Sequence, residues 1–104
     1  MQMREVDVEQ FAVERRPGMA VVDVRSSEEF AAGHVPGAVN VPLERVITDP
    51  GRYVGQELYV ICQSGGRSAK AAEALAAAGA RPVSVAGGTA GWISSGRPVD
   101  TDAR

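Results

Sequence analysis

Cysteine and histidine each occur once in these 104 residues, and both scarcities exclude chemistry. A lone cysteine cannot form a disulfide within the chain, and one cysteine with one histidine makes a four-ligand zinc site from a single chain improbable. An excess of one charge is missing too. Eleven Lys and Arg against thirteen Asp and Glu leave a formal net charge of −2, without blocks of like sign. That balance tells against a nucleic-acid or anionic-membrane footprint. No apolar run approaches the roughly 18 residues of a membrane span, and MQMREVDVEQ lacks the apolar segment of a signal peptide. A cytoplasmic protein is expected, with no membrane and no nucleic-acid partner. What is present is 44% hydrophobic and 23% charged residues, the make-up of one ordinary globular domain. Residues 1–104 are expected to form it, with 99–104 as a tail.

Pro and Gly divide the chain into short elements. A strand is expected near Met3 to Val6. Asp7 with Gln10 then resembles a capping box for a helix through about Glu14, stopped by Pro17 and Gly18. MAVVDV (19–24) is mostly apolar and β-branched, as in a strand covered on both faces. Ser26 and Glu29 form a second capping box, and Gly33 stops that helix. A short strand near 38–41 and one or two helical turns in LERVIT follow. ELYVI (57–61) is a strand ending at Cys62. SAKAAEALAAAG reads as a helix with Ala71, Ala72, Leu75 and Ala78 on one face and Gly79 at its stop. RPVSVA supplies a fifth strand, and GGTAGWISSG a short helix carrying Trp92. Buried strands alternating with helices predict an α/β domain: a parallel sheet of about five strands, helices on both faces. Ligands bind at the carboxyl ends of such strands, where Cys62 lies.

A free cysteine is often just a small buried hydrophobe. The neighbours of Cys62 point elsewhere. If Gln63, Ser64, Gly65, Gly66 and Arg67 curl between strand and helix, their amides and the first helical turn form a cup for an anion. Gly65 and Gly66 give the loop its backbone freedom. Arg67 adds positive charge, either aimed into the cup or bracing the loop from behind. Such surroundings lower a thiol from a pKa of about 8.5 to about 7 or below, which makes Cys62 a candidate nucleophile.

The blocks DVRSSEEFAAGHVPGAVNVP (23–42), YVICQSGGRSAKAAEAL (59–75) and VAGGTAGWISSGRPV (85–99) resemble, in that order, a single-domain rhodanese, the thiosulfate sulfurtransferase-like family. The resemblance implies that thiolate Cys62 takes the outer sulfur of thiosulfate or another sulfane-sulfur donor, releases sulfite and becomes a persulfide. An acceptor such as cyanide, thioredoxin or glutathione then removes that sulfur. No cofactor and no metal are implied. The loop residues Gln63, Ser64, Gly65, Gly66, Arg67 and Ser68 would hold the substrate. Arg67 is assigned to anion binding, and Ser68 to capping the helix or donating to substrate. Asp23 and Arg25 match the family's D-x-R signature as supporting residues. An Arg25–Glu29 ion pair is expected, with Asp23 on the loop or a nearby amide. Trp92 is read as a core anchor that also walls the pocket, and His34 as a hydrogen-bonding turn residue.

Three rivals remain. A cysteine-based phosphatase or arsenate reductase would use the same cup, but the family members resembling rhodanese have one residue more between cysteine and arginine. Ile61 also stands where many of them place histidine. A non-catalytic binding module and a protein-to-protein sulfur relay are the others. Without a second cysteine, the chain cannot resolve its own persulfide, so the acceptor must be external.

Overall fold

The computed structural model describes residues 3–102. Its elements run β1 (Arg4–Asp7), α1 (Val8–Glu14), β2 (Ala20–Asp23), α2 (Ser27–Ala32), β3 (Val39–Asn40) and α3 (Leu43–Thr48). A 3-10 turn (Pro50–Tyr53), β4 (Glu57–Ile61), α4 (Gly66–Ala77), β5 (Arg81–Ala86) and α5 (Gly88–Ser94) follow. The five strands pair in parallel in the order β1-β5-β4-β2-β3. The expected α/β sheet is therefore present, with the last strand inserted between the first and the fourth.

Side chains alternate across each strand, and this parity sorts the core into two layers. Val21, Tyr59, Ile61, Val83 and Val85 face one way, against Val8 and Phe11 of α1 and Trp92 of α5. Phe11 meets Tyr59 edge-on at 4.9 Å between ring centres and lies 5.7 Å from Trp92. Val22, Leu58, Val60 and Cys62 face the other way, against Val46 of α3 and Ala71 and Leu75 of α4. Helices thus cover both faces.

The predicted caps are local and largely present. Asp7 accepts from the Gln10 amide at 2.8 Å, and Ser26 with Glu29 makes both halves of a capping box. At the end of α4, the Gly79 amide donates to Ala76 O and the Ala80 amide to Leu75 O. This pair of bonds is the Schellman stop that Gly79, at φ +96°, permits. The buried face of α4 is Ser68, Ala71, Ala72, Leu75 and Ala76. Ala78, expected on that face, is the half-buried C-cap instead, because the helix ends one residue before it.

Residues 99–102 of the expected tail run back along the domain. Asp100 exchanges two backbone hydrogen bonds with His34, and the Asp102 amide donates to Ala31 O. Val99 packs against the core, while 103–104 lie outside the described residues.

Candidate active site

Strand parity carries Cys62 to the α4 face of the sheet, just past the carboxyl end of β4. The residue is 1% exposed, and Gln63, Ser64 and Gly66 above it are exposed. Gly65 turns the chain at φ +120°, a conformation closed to most side chains, and in doing so aims its N–H at Cys62 Sγ, 3.1 Å away. Only one of the two loop glycines needs that freedom. Gly66 already belongs to α4 and has no positive φ.

Burial raises the Cys62 thiol, but the Ser68 hydroxyl and the amides of Ser68, Gly65 and Ser64 outweigh it, so the thiol ionises below its ordinary value. These donors act from the loop and the first turn of α4, where backbone N–H groups have no helical partner. The cup expected from the sequence is thus built around the sulfur.

Ser68 does not cap α4. The N-cap is Gly65, without a side-chain bond, and Ser68, three residues further in, lies 0% exposed beneath the loop. Its Oγ is 3.6 Å from Cys62 Sγ, 3.0 Å from Gly65 O and 2.9 Å from Ser84 Oγ. The capping expectation fails because the N-cap falls at Gly65, three residues before Ser68.

Two charged pairs hold the loop from outside. Arg67 takes the bracing arrangement: its guanidinium donates to both Glu29 oxygens, at 2.7 and 2.9 Å. Glu29 is pulled down to about 2, chiefly by that Arg67 bond, and Arg67 is raised by the same contact. The expected Arg25–Glu29 pair is therefore replaced. Arg25 turns back onto Asp23 instead, with Nη2 at 2.8 Å from Oδ2, and the two side chains are 4% and 0% exposed. Asp23 Oδ1 also accepts the Arg25 amide at 3.0 Å, the nearby-amide role expected of it. From there Arg25 reaches Gln63 Oε1 at 3.2 Å and Gly33 O at 2.8 Å.

The start of α5 holds the loop from behind. The Thr89 amide donates to Cys62 O and the Ala90 amide to Gln63 O. Gly88 allows this approach, since a Cβ there would stand 2.4 Å from Cys62 O. Trp92 is a core anchor, 6% exposed, with Nε1 bonded to Pro98 O. Its packing belongs to the α1 and α5 layer, across the sheet from Cys62, so the expected pocket-wall role finds no support in its contacts. His34 stacks on Phe30 and places Nδ1 2.7 Å from Phe30 O, a turn residue as read.

Sequence reading missed three contributors. Asn40 donates to Asp23 O and Arg25 O, fixing the end of β2. Glu29 was read as a cap partner and as the partner of Arg25, not as the carboxylate that holds Arg67. Ser84 is a buried hydroxyl among valines; its even parity with the Cys62 face was the signal available.

The Rhodanese-like domain family matches residues 8–95, most of the chain. The chain belongs to that family. Thiosulfate sulfurtransferase 18 of Arabidopsis thaliana is 36% identical, aligned over 93% of this rhodanese-like chain and 83% of its own length. A Bacillus subtilis protein named "Putative sulfur carrier protein YrkF" is 34% identical over 76% of this chain and 44% of its own. In structure, the rhodanese-related protein of Thermoplasma volcanium superposes with a TM-score of 0.81 at 30% identity, covering 93% of this chain and 97% of that one. Among the described residues of this rhodanese-like domain, no helix is long and apolar enough to cross a membrane.

Proposed function

We propose that this domain is a sulfurtransferase that carries sulfur on Cys62. The observation that bears most weight is the donor set around Sγ: the Gly65 amide at 3.1 Å, the Ser68 hydroxyl at 3.6 Å and a thiol drawn below its ordinary value. In the first half-reaction the thiolate attacks the outer sulfur of thiosulfate. The sulfur–sulfur bond of thiosulfate breaks, sulfite leaves with its electron pair, and a Cys62 persulfide anion remains. An acceptor then attacks the outer sulfur of that persulfide and returns Cys62 to thiolate. Cyanide would leave as thiocyanate, and a thiol such as glutathione or a thioredoxin cysteine as its own persulfide. Preformed N–H donors stabilise the anion in both states without reorganising. No general base and no cofactor enter these steps.

The loop residues Gln63, Ser64, Gly65 and Gly66 form the mouth through which donor and acceptor reach the sulfur. Arg67 acts on the anion through its field and through the loop it braces, because its Nη1 and Nη2 are each turned onto Glu29. The likeness to YrkF favours a second reading, a relay in which both donor and acceptor are proteins. A cytoplasmic setting goes with either.

Intact mass after incubation with thiosulfate tests the proposal. Wild type should gain the mass of one sulfur atom and Cys62→Ser none, with cyanide removing the gain. No gain on wild type overturns it for thiosulfate. A gain only from a persulfidated protein donor selects the relay.

A further inference from the structure

Ser84 is the one polar residue in the buried run of β5, 3% exposed with valine on either side. A buried hydroxyl is unfavourable unless it is hydrogen-bonded, and its side-chain partner here is Ser68 Oγ at 2.9 Å. The parity that turns Val83 and Val85 toward α1 and α5 turns Ser84 toward α4, beneath the same sulfur that β4 presents. Cys62, Ser68 and Ser84 thus form a chain of one thiol and two hydroxyls contributed by three elements.

We propose that Ser84 is a positioning residue for the Cys62 sulfur, its hydroxyl donating to Ser68 Oγ and thereby turning the Ser68 proton onto the sulfur when Cys62 is anionic. The inference rests on the nucleophilic role given to Cys62 above. Proton counting supports it. While Cys62 is a thiol, its S–H donates to Ser68 Oγ, and the Ser68 proton goes to Gly65 O. On ionisation the sulfur loses that proton and becomes an acceptor. Ser68 has one proton to give and two lone pairs to fill. If its proton swings from Gly65 O to Sγ, Gly65 O keeps the Ala69 amide at 3.1 Å. Ser84 then supplies the hydrogen bond that Ser68 Oγ accepts, which polarises the Ser68 O–H toward the anion. The same arrangement serves a persulfide, whose inner sulfur occupies the thiol position.

Alkylation of Cys62 by iodoacetamide across a pH series tests this, because it reads the thiolate directly and needs no sulfur donor. Four proteins suffice: wild type, Ser84→Ala, Ser84→Val and Ser84→Thr. Threonine keeps the hydroxyl, and valine matches its shape without it. The charged groups that brace the Cys62 loop are Arg67 on α4, Glu29 on α2 and the Asp23–Arg25 pair at the end of β2; Lys70 and Glu73 on α4, Glu44 and Arg45 on α3 and Arg81 on β5 are exposed, and Glu57 is half-buried at the far end of β4. None of the substitutions alters them. The apparent pKa should rise by about half a unit to one unit in the Ala and Val proteins, slowing alkylation below the wild-type midpoint about three- to tenfold. Ser84→Thr should titrate with wild type. Titration of both hydroxyl-free proteins with wild type overturns the proposal, as does a Thr protein displaced as far as Val. A wild type that alkylates in this pattern but never takes up sulfur would overturn the proposed function alone.

Discussion

Replacing Glu29 separates two jobs done by one carboxylate. Its Oε1 accepts the Ser26 amide at 3.1 Å, closing the capping box of α2, while both oxygens hold Arg67. Glu29→Gln keeps a side chain that can close the box but removes the charge. The ion pair is bidentate, which favours it, yet its side chains are 40% and 36% exposed, and water screens it to about 1 kcal/mol. Glu29→Gln should therefore lower the melting temperature by about 4–8 °C. Glu29→Ala also opens the box and should cost about 1.5–2 kcal/mol, roughly twice the shift. The pH dependence has a fixed sign. Glu29 titrates at about 2 in the folded chain against an ordinary 4.5, so its stabilisation is complete above the ordinary value and lost as pH falls toward about 2. Urea denaturation of wild type and Glu29→Gln should show a gap at neutral pH that closes over that acid range. Equal midpoints at neutral pH, or a gap that persists in acid, would refute the role given to the pair.

Two further substitutions address the supports of the loop. Asp23→Asn leaves the Arg25 guanidinium, whose side chain is 4% exposed, as a buried charge without its partner; a loss of about 3–5 kcal/mol is expected from denaturant midpoints. A value below about 1 kcal/mol would show that Arg25 finds water instead. Gly88→Ala places a Cβ 2.4 Å from Cys62 O at a backbone φ of +56°, so α5 must withdraw from the loop. Alkylation of Cys62 should then lose the pH profile of wild type, and an unchanged profile would show that α5 does not shape the cup.

The sequence made the elements legible because their signals are local: apolar β-branched runs for strands, Ser26 with Glu29 for a cap, Gly79 for a stop. Cys62 stood out for the same reason, since its Gly-rich neighbours lie within a few residues. The ion pairs were not legible. Glu29 is four residues from Arg25, a spacing that pairs charges on one helix, but Arg25 precedes α2 and its side chain is held by Asp23. Glu29 instead meets Arg67, 38 positions away, and that contact exists only after α2 and α4 have been placed around the sheet. Ser84 and Asn40 also act across the chain, over shorter separations. Ser84 lies 16 positions from Ser68 and Asn40 17 from Asp23.

The placing of β5 between β1 and β4 has a consequence for how the protein comes off the ribosome. Because β5 and α5 follow Cys62 in the chain, neither the strand beside β4 nor the Thr89 and Ala90 amides behind the loop can take their places until after Cys62 has left the ribosome. Until then the thiol has no finished shelter and behaves as any cysteine on an unfolded polypeptide. The surroundings that lower the thiol are therefore complete only once the sheet has closed.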